Sequence, residues 1–444
     1  MRRAAPLLTN VGVVVAVFGL SKLHASQIAE PPYDFTADAR FAWSMLLIGL
    51  YWVAAYAAGL PDAPRTPRSA VVASLLATTT AALSVSVLGL LVGEQVLPRF
   101  VVLGSALVLV PWFVLCVGLA TGGRQRALDL QHVVVVAPPE EVEQLRVDLH
   151  RAPERHATVS AALSPSDAAP SPAHPAPLLE AVTRHAATVL VLDRAAQADE
   201  EVVAQAAVLH ERGVRVRTLS MFYDEWLGKL PLVELERVSL MFDLADLHRS
   251  RYARVKRLLD LGVAVVGVLA LVLAVPVVAV GDRIANRGPL LYRQTRVGRG
   301  GRTFEILKFR TMVPAPPGAT VNEWTQEDDP RITPFGRILR RTHLDELPQV
   351  VNILRGELSV VGPRPEQPHY VEDLVEKLRF YDLRHLVRPG LTGWAQVKYG
   401  YAGDERDAVE KLQYDFYYLR HQRIGLDLRI IGRTIRSVVG GMGR

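Results

Sequence analysis

The apolar run Leu258–Val280, LLDLGVAVVGVLALVLAVPVVAV, decides how the rest of the chain is placed. It is near the ~20 residues needed to cross a bilayer. Its flanks argue against a plain crossing. Arg251, Arg254, Lys256 and Arg257 precede it, and Arg283 and Arg287 follow it, so both ends favour the cytoplasmic side. Pro276 removes a backbone N–H inside the run and is expected to break the helix at Val275-Pro276. Asp260 is costly in lipid unless paired, and Lys256 or Arg257 one turn away are the nearest candidates. The run therefore reads as a re-entrant membrane helix that enters and returns on one face. The rival reading, a fifth full span, would place the C-terminal third on the opposite side.

Working towards the N-terminus, four more apolar stretches lie at 7–23, 40–60, 69–93 and 99–121. Each is long enough to span. Arg2 and Arg3 precede the first, Arg65 and Arg68 separate the second and third, and Arg124 and Arg126 follow the fourth. The other loops carry Glu30, Asp34, Asp38 and Glu94, with Arg40 and Arg99 at span edges. The positive-inside bias puts the N-terminus and everything after Arg124 in the cytoplasm. A cleaved signal peptide is not expected, since more spans follow and no small-x-small site closes the first. Residues 1–124 are thus expected to form a membrane α-helical four-span bundle. Composition agrees: 50% of the 444 residues are hydrophobic and 22% charged, with a mean hydropathy of +0.17. Disorder and an ordinary soluble enzyme are disfavoured. The lone Cys116 excludes a disulfide framework and a cysteine-based zinc site, and the His residues show no metal-ligand pairing. A net charge of +6 is too thin for nucleic-acid binding and suits a face apposed to anionic lipid.

Within the expected domain and linker 125–250, residues 132–219 alternate in period. Strands are expected at His132–Ala137, Ala157–Leu163, Thr188–Asp193 and Val214–Leu219, with helices at Glu140–His150, Leu178–His185 and Glu200–Arg212. That order predicts a parallel, Rossmann-like α/β sheet. Ser164–Pro177, rich in Pro, Ser and Ala, reads as a flexible loop. After the first strand stands Ala137-Pro138-Pro139-Glu140-Glu141, with no glycine and two carboxylates. A pyrophosphate would find no close backbone and a repelling charge there, so the fold is degenerate as a dinucleotide site. A spacer, regulatory or dimerising role is expected instead.

The chemistry-bearing residues crowd into 251–444, expected to be an α-rich domain. Lys308-Phe309-Arg310-Thr311-Met312, Asp329-Pro330-Arg331, Arg340-Arg341-Thr342-His343-Leu344-Asp345-Glu346-Leu347-Pro348-Gln349, Gly362-Pro363-Arg364-Pro365 and Pro389-Gly390-Leu391-Thr392-Gly393-Trp394 follow one another. On an α-helix, Asp345 and Glu346 point about 100° apart, so they suit split roles rather than one shared proton. A carboxylate can serve as nucleophile to a phosphoryl group, and another can hold a hard cation. Mg²⁺ takes one or two carboxylates plus phosphate oxygens and water. Lys308, Arg310, Arg331, Arg340 and Arg364 supply fixed cations of the kind a pyrophosphate needs. Gln349 and Pro365, in the same runs, complete the candidate phosphate-binding set. Asp328-Asp329 precedes Pro330 and reads as a turn rather than a metal pair, within the Pro-, Gly- and acid-rich stretch Val313–Asp328. Towards the end, Tyr414, Phe416, Tyr417 and Tyr418 precede a helical-period pattern of Leu426, Ile430, Ile431, Ile435, Val438 and Val439 among arginines. This pattern suits either an interfacial helix or a core-facing one.

The stretch from about Lys256 to Gly440 resembles the bacterial sugar transferase family, the monotopic polyprenyl-phosphate phosphoglycosyl transferases. With the four-span front and the α/β middle, the chain resembles the large members that start exopolysaccharide or O-antigen synthesis. The resemblance implies transfer of a sugar 1-phosphate from a UDP-sugar to undecaprenyl phosphate, with release of UMP. It implies that Asp345 is the nucleophile of a covalent phosphosugar intermediate and that Glu346 helps hold Mg²⁺. Lys308, Arg340 and Arg364 take the family's phosphate-binding places, and Lys256-Arg257 with Asp260 match the entry to its re-entrant helix. It further implies contact with membrane lipid, a catalytic domain on the cytoplasmic face of the inner membrane, and a homodimer. One departure is Val275 before Pro276, where many members carry Ser. Two other classes stand beside this reading. A glycosyltransferase releasing UDP would want an Asp-x-Asp metal motif, which has no convincing context here. A non-catalytic membrane scaffold would leave the carboxylate and basic cluster unexplained.

Overall fold

The computed structural model describes residues 5–61, 67–92, 96–121, 131–151, 157–172, 174–231, 249–285, 289–313, 329, 331–378, 380–399 and 405–439. The topology charges Arg2, Arg3, Arg65, Glu94, Arg124, Arg126 and Arg287 lie outside the described residues, as do Asp328, Pro330 and most of Val313–Asp328. The chain divides into two compact units, Met1–Asp129 and Leu130–Arg444. The second joins 130–250 with the 251–444 division read from the sequence.

The first unit holds α1 (Ala5–Leu23), α2 (Ala39–Ala57), α3 (Pro67–Val92) and α4 (Arg99–Thr121). Val13, Val17, Leu47, Tyr51, Ala77, Leu109 and Phe113 form its core, while Leu7, Val15, Leu83, Leu103 and Leu107 face outward. Helices apolar on all sides need an apolar surround. Their buried hydroxyls are satisfied internally: Tyr51 Oη lies 3.0 Å from Ser105 Oγ, and Ser21 Oγ 3.1 Å from Ser44 Oγ. Among the described residues, five helices are long and apolar enough to cross a membrane, these four and Tyr252–Ile284.

The second unit begins with a four-stranded sheet of β1 (Gln131–Val136), β2 (Ala157–Leu163), β3 (Val189–Leu192) and β4 (Arg215–Thr218), interleaved with α5 (Pro139–Arg151), α6 (Pro177–Arg184) and α7 (Glu200–Glu211). The strand order is β2-β1-β3-β4 and every pair is parallel. Val133–Val136 are fully buried because both faces are covered. Val133 and Val135 meet Val142, Leu145, Phe222 and Trp226, and Val134 and Val136 meet Leu178, Val182, Val202 and Leu209. The expected loop Ser164–Pro177 is corrected in part. Ser164 caps a single helical turn, Pro165–Ala168, by accepting from the Asp167 N–H. Gln205 donates to the Ala168 carbonyl at 3.0 Å. Proline presets φ at the first position of that turn, so the proline that suggested a loop starts a helix instead.

The long helix α8 runs unbroken from Arg249 to Ala285 with Pro276 inside it. The expected break at Val275-Pro276 is therefore not formed. One side of α8 is held along its length, so the single lost N–H of a proline does not end it. Lys256, Asp260, Ala264, Val278 and Asp282 are buried, and Leu271 and Val275 pack on the Phe309–Leu339 core. Gly267 and Gly281 permit close approach: a Cβ there would sit 2.6 Å from Val350 and 2.3 Å from Phe335. On the other side, Leu258, Val265, Leu269, Val272, Leu273, Val277, Val280 and Ile284 are exposed. Both sets recur every three or four residues, so α8 carries two opposed stripes.

Next come the antiparallel hairpin β5 (Leu291–Val297) and β6 (Thr303–Phe309), α9 (Pro334–Arg341), a 3₁₀ helix (Leu344–Gln349), α10 (Val350–Arg355), β7 (Ser359–Val361), α11 (Pro368–Lys377), a 3₁₀ helix (Tyr381–Leu386) and β8 (Gly390–Thr392). β7 and β8 pair in parallel. α12 (Trp394–Tyr399), α13 (Glu405–Arg420) and α14 (Ile424–Val439) close the chain. Phe416, Tyr418, Leu426 and Ile430 are buried, whereas Leu428 and Ile435 are exposed. The aromatic cluster thus packs into this unit, and α14 turns one side to the core.

Candidate active site

Asp345 and Glu346 lie on the 3₁₀ helix Leu344–Gln349, not on an α-helix. At three residues per turn their side chains diverge by about 120°, a wider split than the sequence suggested. The preceding His343 takes a left-handed backbone, φ +55°, which sets the helix off from α9. Asp345 is buried at 5% exposure. Lys308, on β6, donates to Glu346 Oε1 at 2.8 Å, and Arg364, just past β7, brings Nη2 to 3.8 Å from the same oxygen. Burial pushes the Glu346 carboxyl up, but Lys308 and Arg364 outweigh it and hold it at about 2. The carboxylate therefore stays charged at neutral pH.

Asn352 on α10, fully buried, holds this arrangement together. It accepts from the Leu307 N–H at 3.1 Å and donates to the Glu305 carbonyl at 2.7 Å. The strand bearing Lys308 is thereby locked to the helix that follows Glu346. Gln349 is buried at the end of the 3₁₀ helix. Arg340 donates to Thr311 Oγ1 at 3.0 Å. Arg331 binds Asp329 through three bonds of 2.6–3.2 Å, and these hydrogen bonds draw the Asp329 carboxyl down to about 2.

The structure thus brings Lys308, Glu346 and Arg364 together beside Asp345. Arg310 is placed elsewhere: its guanidinium bonds Asp282 on α8 at 3.2 Å and the Pro289 carbonyl at 2.8 Å. It ties α8 to β6. The residues expected at the start of α8 are also tied into this unit, by long-range partners. Lys256 bonds Asp427 at 3.2 Å, and Arg257 donates to the Ile353 and Leu354 carbonyls at 2.6 and 2.8 Å. Asp260 accepts from Ser359 Oγ at 2.9 Å and the Val360 N–H at 3.0 Å, with Arg388 at 3.8 Å. The pairing of Asp260 with Lys256 or Arg257 is corrected accordingly. Strand β7 offers a hydrogen-bond donor pair that intrahelical neighbours cannot.

Among the described residues, no group of three or more His, Cys, Asp and Glu side chains could by itself hold a metal ion. Glu346 alone would suffice as the protein ligand of Mg²⁺, which takes as few as one carboxylate and completes its shell from phosphate and water.

Sequence reasoning missed Asn352, Asp282, Asp427 and Arg384. Each acts through a partner far along the chain, and none stands in a short motif.

Comparison with known proteins adds two findings. Residues 251–441 match the family model described as bacterial sugar transferase. The UDP-N-acetylgalactosamine-undecaprenyl-phosphate N-acetylgalactosaminephosphotransferase of Aeromonas hydrophila is 40% identical over 194 residues, 43% of this chain and 45% of that one. The UDP-glucose:undecaprenyl-phosphate glucose-1-phosphate transferase of Xanthomonas campestris pv. campestris is 39% identical, over 49% of this chain and 44% of that one. The match thus spans less than half the length of these two relatives. The exopolysaccharide production protein PSS of Rhizobium leguminosarum bv. phaseoli is 36% identical over 42% of this chain and 97% of its own length.

Proposed function

The chain belongs to the bacterial sugar transferase family, and from that premise we propose that it transfers a sugar 1-phosphate from a UDP-sugar to undecaprenyl phosphate, releasing UMP. The observation that carries this reading is the Lys308–Glu346–Arg364 cluster beside the buried Asp345. An Asp345 carboxylate oxygen attacks the phosphorus that bears the sugar. The bond from that phosphorus to the bridging oxygen breaks, and UMP departs with the electron pair. A phosphate oxygen of the lipid then attacks the same phosphorus and releases Asp345. Lys308 and Arg364 would supply the positive charge that the equatorial oxygens need in the transition state. Glu346, with substrate phosphate, would hold Mg²⁺, which supplies charge neutralisation when bound. The names of the relatives, with glucose in one and N-acetylgalactosamine in another, support the donor and acceptor classes.

The setting is a bacterial inner membrane, with 1–124 as a four-span bundle, the 125–250 sheet as a Rossmann-like domain without a dinucleotide, and the unbroken α8 lying along the cytoplasmic face with its apolar side in lipid. The two stripes of α8 support that placement: one is tied to polar elements of its own unit, and the other is apolar and exposed.

The test is UMP release by detergent-solubilised protein given undecaprenyl phosphate, Mg²⁺ and a panel of UDP-sugars. Lipid-dependent UMP from the wild type and none from Asp345→Asn is the expected outcome, because an amide is no nucleophile. Full turnover by Asp345→Asn would overturn the covalent mechanism. Release of UDP instead would make the protein a glycosyltransferase.

A further inference from the structure

The turn that presents Arg364 is held in an unusual way. Residues 363 and 365 are prolines and have no N–H to donate. The turn is anchored instead through four consecutive carbonyls. That of Pro363 accepts from the Gly390 N–H at 2.9 Å. The Arg364 carbonyl accepts from Arg384 Nη2 at 3.0 Å. Pro365 accepts from Arg296 Nη1 at 3.0 Å, and Glu366 accepts from the Val297 N–H at 2.9 Å. Two of the four donors are arginine side chains.

Both arginines are themselves oriented. Arg384, 6% exposed, uses the same Nη2 to reach the buried Asp415 at 2.9 Å, while its Nη1 donates to the Tyr381 hydroxyl. Arg296 is set by Gln294 at 2.7 and 3.1 Å and lies 3.5 Å from Glu366. A guanidinium has donors in a fixed fork, so it can meet a carboxylate, a hydroxyl and a carbonyl at once. A lysine ammonium is a compact point charge and cannot keep that geometry.

We propose that Arg384 and Arg296 are positioning residues: they grip the Arg364-Pro365 backbone and so keep the Arg364 guanidinium at Glu346 and the substrate phosphate. The inference rests on the reading that Arg364 serves the pyrophosphate. Neither arginine touches the reacting atoms, and both act through Arg364.

That wording makes the test a coupling measurement. Arg384→Lys lowers kcat/KM for UMP release by about 10- to 100-fold, the scale of a displaced catalytic group. In an Arg364→Ala background the same change lowers it less than about 2-fold, because the group being positioned is gone. Equal losses in both backgrounds would mean a merely structural role and overturn the proposal. If Arg384→Lys fails to fold, Arg296→Gln decides by the same cycle, since it removes the other arginine contact to the turn, that with the Pro365 carbonyl. Wild-type protein that releases no UMP with any donor would fail the reaction reading itself. The cycle is then read on UMP affinity by calorimetry, where coupling of Arg384 with Arg364 supports the positioning role and absence of coupling overturns it.

Discussion

Lys308 faces a carboxylate that burial alone would neutralise. Removing it by Lys308→Met takes away the cation that donates to Glu346 and leaves Arg364 at 3.8 Å, and a poorly compensated charge is costly in a partly buried site. The expected result is a kcat/KM lower by about 10²-fold, the usual loss when one preorganised charge is removed, with a lowered melting temperature. A variant with wild-type rate and melting point would show that the pair is ornamental. At this scale the sequence was legible in part. Asp345-Glu346, Lys308 and Arg364 stood out because like types recur among Gly and Pro turns, and the fold does gather Lys308, Glu346 and Arg364. Arg310, two residues from Lys308, looked the same in sequence and pairs with Asp282 instead. Arg310 lies just past the end of β6, and nothing local says that an α8 carboxylate waits there.

Elements explain why the glycines are needed. β7 and β8 approach so closely that a Cβ at Gly362 would lie 2.4 Å from the Arg388 carbonyl and 2.9 Å from the Gly390 nitrogen. Both are backbone atoms, which cannot swing aside. Gly362→Ala should cost about 1–3 kcal/mol of stability and more than about 10-fold in rate, because Arg364 follows two residues later. Wild-type melting and turnover would contradict that. The 3₁₀ helix Tyr381–Leu386, which carries Arg384, yields a pH prediction. Burial, and then the Arg384 charge, push the His385 imidazole down to about 4 from its ordinary ~6.5. The unfolded chain takes up this proton as pH falls through 6.5, and the folded chain only near 4. Stability from the neutral imidazole is therefore full above 6.5 and lost between 6.5 and 4, by up to about 3 kcal/mol. Thermal melts over that range should fall more steeply for wild type than for His385→Gln, and parallel curves would dismiss the effect. The α/β elements were legible because strand and helix periods differ so plainly. Pro276 misled because its local cost is known from sequence, whereas the packing along α8 that overrides it is not.

At the scale of the whole molecule, the ends of α8 bear on how it meets the bilayer. A helix of this length extends roughly 55 Å, more than enough to cross a ~30 Å hydrocarbon core. A full crossing would leave Lys256 and Asp282 on opposite sides. Yet Lys256 bonds Asp427, Arg257 caps the α10 carbonyls, and Asp282 bonds Arg310, all in one compact unit. Drawing those polar ties through lipid would cost several kcal/mol per unsatisfied group. The exposed stripe from Leu258 to Ile284 can instead be covered by lipid from one side. Labelling tests this directly. With Cys116→Ala as background, Ser250→Cys and Arg287→Cys should each react with an impermeant maleimide supplied from the cytoplasmic side, and neither from outside. Reaction of one from each side would establish a true span, separate the two ends of α8, and require the catalytic unit to be rebuilt around that separation.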